Sequence, residues 1–205
     1  MAFLTEQEKA QIAAAVTRAE RRTSGELVTV IARRSDDYAV VPWMWATLLA
    51  LMLPGLIELF RLPAPLASAY FSQVMLFVAV LLLLQWEPLK LMLVPRALKQ
   101  ARARRMAREQ FFTRNLHLTR ERTGVLIFVS LAERHVEIIA DEGINRSVPE
   151  GAWDGVVARF VERVKAGHTA EGFLETIEAC GSYLAEHFPP RPDDTNELPD
   201  PLVEI

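Results

Sequence analysis

Three kinds of hydrophobic pattern follow one another along the chain. From Glu6 to Arg22, Ile12, Val16 and Ala19 recur on one face at helical spacing, so this stretch predicts an amphipathic helix. Thr5-Glu6-Gln7-Glu8 ahead of it has capping-box spacing, with Thr5 as N-cap and Glu8 able to reach back to its N–H. Gly25 ends that unit. Glu26 to Ile31 then reads as a mostly apolar strand, the kind placed centrally in a sheet covered by helices.

The second pattern has no polar face. Tyr38 to Ile57 and Leu62 to Trp86 contain no charged residue, and Val78 to Leu84 is apolar all round. At about 1.5 Å per residue each segment spans the ~30 Å hydrocarbon core of a bilayer as a helix. A buried helix pair in a soluble bundle is the competing reading, but such helices usually keep a polar stripe. Trp43 and Trp45 at one end and Trp86 at the other are placed like an interfacial aromatic belt. Pro42 suits a first helical turn, Pro54-Gly55 predicts a kink or stop, and Glu58 to Pro65 reverses the chain.

The third pattern is α/β. Arg96 to Asn115 is helix-forming, with Leu98, Ala101, Met106, Phe111 and Phe112 as packing candidates. Val125–Ser130 and Val136–Ala140 read as strands of an antiparallel hairpin. Pro149-Glu150 is expected to start a helix that runs through Val156, Val157, Phe160 and Val164 to Gly167, and Ala170 to His187 is another, closed by Pro189-Pro190, with Gly167 and Gly172 read as helix punctuation. The first strand has no neighbour of its own, so it is expected to pair with the later strands. Arg191 to Ile205 is acidic and proline-rich and reads as an extended or mobile tail.

Composition alone conceals this layout. The 205 residues are 51% hydrophobic and 24% charged with a net charge of −3, the averages of a soluble domain. Between Tyr38 and Trp86, however, only Glu58 and Arg61 are charged. Basic residues crowd the other side: Arg33 and Arg34 precede the first apolar segment, and Lys90, Arg96, Lys99, Arg102, Arg104, Arg105 and Arg108 follow the second. The positive-inside rule places both termini in the cytoplasm of a bacterial inner-membrane protein. The start of the chain is polar and acidic, unlike a cleaved secretion signal. Cys180 is the only cysteine, which excludes an intrachain disulfide and a zinc site of paired cysteines.

The run from Lys90 to Arg108 carries seven positive charges and no acid. Anionic lipid headgroups are its expected partner, at up to ~1 kcal/mol per basic residue near the surface; a solvated basic face that merely fixes topology is the plain alternative. Nucleic acid is not expected, because no stacking aromatics are interleaved before Phe111 and Phe112. Asp36, Asp37, Asp141 and Glu142 are the weak candidates for a cation site, each beside a predicted strand end, against the plainer reading of turn acids. His117, His135, His168 and His187 lie in four separate elements or loops, and Ser24 and Ser130 lack the setting of a nucleophile elbow. No catalytic residue is assigned.

Three stretches carry a family likeness: Ser24-Gly25-Glu26-Leu27-Val28-Thr29-Val30, Thr123-Gly124-Val125-Leu126-Ile127-Phe128-Val129, and Arg134 through Asp141-Glu142-Gly143-Ile144. In these the chain resembles the TPM-domain family, named for a thylakoid lumen protein, a photosystem II accessory protein and a receptor-modulating membrane protein. The resemblance implies a three-layer α/β/α sandwich, often membrane-tethered and linked in some members to maintenance of membrane complexes. Phosphatase activity and divalent-metal binding are also attributed to the family. Two departures stand out: Thr123 is next to the position where an acidic residue is common, and Asp141-Glu142-Gly143 replaces a two-glycine turn.

The expected architecture is therefore an α/β sandwich of the TPM type with a two-helix transmembrane hairpin inserted after the first strand. Residues 1–37 hold the first helix and strand, 38–88 the hairpin, 89–190 the rest of the domain and 191–205 the tail. The expected role is a non-catalytic binding or support module for membrane-protein assemblies, with a divalent-metal phosphatase as the alternative. No cofactor is assigned beyond the Ca2+ or Mg2+ that this alternative would use. A membrane-protein partner is expected, and self-association of the hairpin is allowed by the small residues Ser68, Ala69, Ser72 and Ala79.

Overall fold

The computed structural model describes residues 4–61, 63, 65–149, 151–191, 198 and 202–205. Its elements are α1 (Glu6–Glu20), β1 (Glu26–Ala32), α2 (Val40–Leu59), α3 (Leu66–Leu83), α4 (Glu87–Leu93), α5 (Arg96–Thr113), β2 (Gly124–Ser130), β3 (His135–Ala140), α6 (Glu142–Asn145), α7 (Asp154–Lys165), α8 (Thr169–His187) and β4 (Val203–Glu204), with a 3-10 turn at Leu116–Leu118. The chain divides into two compact units, Met1–Ser35 with Gln100–Ile205, and Asp36–Lys99.

The first unit is a mixed α/β domain around a four-stranded sheet of order β3-β2-β1-β4. β1 and β2 pair in parallel from Glu26↔Gly124 to Ala32↔Ser130, so the first strand finds its neighbour across the whole apolar insert. β2 and β3 form the expected antiparallel hairpin, from Val125↔Ala140 to Ser130↔His135. All seven residues of β1 and of β2 are buried, because each strand is covered on both faces. Alternation sends Leu27, Ile31, Val125, Ile127 and Val129 into a core with Ile12, Val16, Phe160, Phe173 and Leu184 from α1, α7 and α8. Val28, Val30, Ala32, Leu126 and Phe128 point the other way, onto Ala107 and Phe111 of α5.

Local chemistry sets the helix ends. The Thr5 capping box is complete: the Glu8 N–H donates to Thr5 Oγ1 at 3.2 Å, and the Thr5 N–H donates to Glu8 Oε2 at 2.6 Å. The Thr5 backbone N–H and the Thr5 hydroxyl, which donates to Glu8 Oε2 at 2.7 Å, hold the Glu8 carboxyl below its usual range, the backbone N–H being the larger cause. On α5, Ala103, Ala107 and Phe111 share the buried face at i, i+4, i+8 spacing. The expected packing residues Leu98, Ala101 and Phe112 are instead exposed, since they lie off that stripe.

Three further expectations change. α7 begins at Asp154 rather than at Pro149, because Gly151 turns the chain with φ 81° and the Asp154 N–H bonds back to Gly151 O at 3.0 Å. Glu150 lies outside the described residues. Gly172, expected to punctuate a helix, sits inside α8, where a Cβ would run into the Phe160 ring; its role is the close approach of α7. The expected mobile tail ends in structure: Val203 and Glu204 pair in parallel with Val30 and Ile31, and the Ile205 N–H donates to Ile31 O at 3.0 Å. Leu202 and Val203 pack toward opposite cores, so apolar alternation at the end of an acidic segment supplies an edge strand. Most of the rest of that segment, like Met1–Phe3 and the turn residues Leu62 and Ala64, lies outside the described residues.

The second unit is a helical hairpin. α2 and α3 are long and apolar enough to cross a membrane, and α3 buries none of its residues. Pro54 lies inside α2 with Gly55 behind it, and the helix continues to Leu59 where a stop is expected. α2 holds Ala46 and Ala50 buried, while Leu51, Phe71 and Leu82 are each 67% exposed. Tyr38, Val41 and Val94 form a small core with Trp45, Leu91 and Leu93 around the hairpin's open end.

Candidate functional site

At the carboxyl ends of the parallel strands, three polar residues close on one another. Ser130, fully buried as the last residue of β2, donates its hydroxyl to Glu133 in a short bond, and Ser35 Oγ donates to Ser130 Oγ at 2.7 Å. The Ser35 N–H donates to both Glu133 oxygens, at 3.1 and 3.2 Å. Arg134, at φ 50°, closes the tight β2–β3 turn, and the Leu131 and Ala132 N–H groups bond to Ala32 O and Arg33 O. A serine directing its proton at a carboxylate has the polarity of an activated nucleophile. Full burial keeps substrate from it, so the arrangement acts as a clasp between the end of β1 and the hairpin turn. Sequence reading passes over it because Ser35 and Ser130 are 95 positions apart.

The opposite end of the sheet is organised by Arg122. Its guanidinium grips Asp141 with Nε–Oδ2 at 2.7 Å and Nη2–Oδ1 at 3.1 Å, and Asp141, 6% exposed, also caps α6 by accepting the Glu142 N–H at 2.8 Å. The carboxylate raises the Arg122 pKa further through this bonding and its charge. The chain passes close by on both sides: a Cβ on Gly124 would meet Leu116 O, and one on Gly143 would meet Glu121 O and Arg122 O. The glycines of the second and third family-like stretches thus serve the same loop. Thr119 Oγ1 accepts the Thr123 N–H at 3.0 Å, and the Glu26 N–H bonds to Thr123 O, tying the loop to β1.

The cation candidates follow from this topology. Asp36 and Asp37 come after the carboxyl end of β1, whereas Asp141 and Glu142 come after the carboxyl end of β3, which runs antiparallel to β2. Those two strand ends lie at opposite ends of the sheet, about 20 Å apart for six residues at about 3.3 Å each. Asp36 Oδ1 accepts the Tyr38 N–H at 2.8 Å, and Glu142 pairs with Arg146 at 2.5 Å. Among the described residues no three His, Cys, Asp or Glu side chains gather as a metal-binding group. His135 pairs with Glu137 at 2.9 Å, His168 meets Glu171 at 3.1 Å, His187 bonds Tyr183 O, and His117 rests edge-on against Phe112. Burial pushes the Cys180 thiol up to about 12, which makes it a packed and inert group.

The basic run divides between the two units. In the hairpin unit Lys90 Nζ donates to Asp37 O at 2.8 Å, Arg96 is exposed and Lys99 half-buried. In the α/β unit Arg102, Arg104, Arg105 and Arg108 all stand on the exposed side of α5, opposite the Ala103-Ala107-Phe111 stripe. Arg104, Arg105, Arg108 and the exposed Phe112 line an open groove there with Ala101 and Glu109. Glu109 holds Arg105 at 2.9 Å.

An α/β domain with a basic outer helix, in one chain with two helices of membrane-spanning length, defines the class. Comparison adds a family likeness: the model of the TPM domain matches residues 90–183. The match contains the second and third family-like stretches, while β1, with the first, completes the same sheet. Among solved structures, the BA42 protein of the psychrophilic bacterium Bizionia argentinensis is similar in fold, with a TM-score of 0.63 and 22% identity over 100% of this chain and 97% of that one. No curated protein matches the sequence.

Proposed function

We propose that this protein is a two-span bacterial inner-membrane protein that holds a TPM domain, a three-layer α/β/α sandwich interrupted by the hairpin, at the cytoplasmic surface. The domain is a non-catalytic binding module that supports membrane-protein assemblies, with α5 resting on anionic headgroups. One observation carries the reading: α3 buries none of its residues and leaves most of its apolar side chains exposed, while a single-signed basic run follows it in sequence. Water penalises such a surface at about 25 cal/mol per Å²; lipid does not. The test is twofold. A cysteine at Phe60, 68% exposed at the end of the hairpin, reacts with impermeant maleimide from outside intact spheroplasts; labelling only after permeabilisation reverses the topology. Protein reconstituted with anionic lipid protects α5 from protease more than protein in neutral lipid, and equal protection removes the electrostatic role.

A divalent-metal phosphatase is the second reading, favoured by the carboxylates at Asp141 and Glu142 and by the family. Against it, Asp141 is engaged by Arg122 and by the α6 cap. Phosphomonoester turnover with Mg2+ or Ca2+ that is abolished in Asp141→Asn, with folding intact, would establish the enzyme.

A further inference from the structure

Lipid satisfies an apolar side chain but offers no hydrogen bond. Most of the outer surface of the hairpin is apolar, and among the few polar groups on it one amide stands out. Gln73 lies seven residues into α3, about 10 Å along the axis from its start, which is well inside the hydrocarbon core. Among the described residues its amide has no hydrogen-bond partner, and the same holds for Thr47 and for the Tyr70 hydroxyl. All three line one groove of about 250 Å³ between α2 and α3, with Leu51, Val74 and Phe77 as its apolar walls. Ser68, by contrast, satisfies itself on Pro65 O at 2.7 Å.

We propose that this groove is the interface of a homodimer within the membrane, in which a second copy of the chain supplies the partner of Gln73. The inference rests on the membrane-spanning reading above. A glutamine amide carries donors and an acceptor on one planar group, so it is complementary to itself. A two-fold axis along the membrane normal keeps every residue of the second copy at the depth of its counterpart. Gln73 then meets Gln73 at one level, with Thr47 and Tyr70 of each copy beside the pair. Interhelical side-chain hydrogen bonds of this type add modestly to association in lipid, while the packed walls supply contact area. An unrelated transmembrane helix would need a polar residue at that same depth; the second copy has one by construction.

The experiment uses the full chain in a Cys180→Ala background, reconstituted in lipid vesicles. Oxidative cross-linking is compared for Val74→Cys, in the groove, and Met75→Cys, on the far side of α3. Energy transfer between donor- and acceptor-labelled copies is followed on lipid dilution for the unmodified groove, Gln73→Leu and Gln73→Asn. Dimer cross-linking several-fold stronger at Val74→Cys, and a several-fold weaker association for Gln73→Leu that Gln73→Asn partly restores, support the interface. A monomer throughout the dilution series, or a dimer indifferent to Gln73→Leu, overturns it. Flotation of the same vesicles after an alkaline wash separates the two levels: protein that stays with lipid but is monomeric refutes the dimer alone, and protein that washes off refutes the spanning reading with it.

Discussion

Strand β2 and helix α3 draw on the same apolar residue types and end in opposite surroundings. β2, Gly124–Ser130, buries all seven residues, with α1, α7 and α8 against one face and α5 against the other; α3, Leu66–Leu83, buries none. The strand's residues are covered because β1, β3, α5 and the α1–α8 side all reach it, each element hiding only one face or edge. Among the described residues the helix packs mainly on α2, so most of its circumference stays open. Apolar composition therefore says that a segment avoids water; the number of covering elements decides whether the protein itself supplies the cover.

Substitutions sharpen this contrast, beginning with the largest effect. Phe128→Ala opens a cavity in the sheet's core and is expected to lower domain stability by about 3–5 kcal/mol. Leu82→Ala, on the open face of α3, should change it by less than about 0.5 kcal/mol. Denaturant unfolding of detergent-solubilised protein measures both, and equal losses would break the comparison.

The glycines repeat it at smaller scale. Gly172→Ala drives a methyl into the Phe160 ring and is expected to cost about 1–3 kcal/mol, whereas Gly55 has open space around it and Gly55→Ala should be neutral or gain up to about 1 kcal/mol of helix propensity. Melting temperatures of the two variants test the pair; a destabilised Gly55→Ala would mean the hairpin is more tightly covered than α2 and α3 show.

Thr5→Ala removes the cap of α1 for about 1 kcal/mol. The Glu8 half of that cap has a pH signature. Its folded pKa is lowered, so its contribution is full above the ordinary glutamate range and is lost as pH falls through the lowered value. Acid titration of helicity should show this step in the wild-type chain and not in Glu8→Gln. Least perturbing of all is labelling at Cys180: with its thiol pushed up to about 12, it should resist alkylation at neutral pH until the domain unfolds. Because burial favours the neutral thiol, its share of stability is present below the ordinary cysteine range and declines as pH rises from there toward about 12. Modification of the native protein within minutes would show that the α8 core opens.

Much of the architecture is legible in single residues. Thr5 and Glu8 announce α1, short runs of mostly apolar residues announce β1 to β3, and the uncharged stretches announce α2 and α3. What escapes is nonlocal or short. β4 holds two residues in an acidic, proline-rich segment, and only its fit to the open edge of β1 makes it a strand. The Ser35–Ser130–Glu133 clasp joins the two sides of the apolar insert, and Gly172 looks like a helix stop until the Phe160 ring is placed against it. For the site, the basic residues were readable, but the face they stand on was not: the buried stripe of α5 runs through Ala103, Ala107 and Phe111 rather than through Leu98, Ala101 and Phe112. The four carboxylates were readable too, but that the strands preceding them end on opposite sides of the sheet was not, because it depends on the direction of β3.

Sequence by itself determined which segments avoid water, where the charge changes sign, and that the strands resemble a TPM domain, since these depend on local composition and spacing. Tertiary structure alone decided that β1 pairs with β2 in parallel and in the register Glu26↔Gly124, that the carboxylate-bearing strand ends lie at opposite ends of the sheet, and that Gln73 opens into a groove. Each of those facts is a distance between residues far apart in the chain, and such distances are set by packing many elements at once.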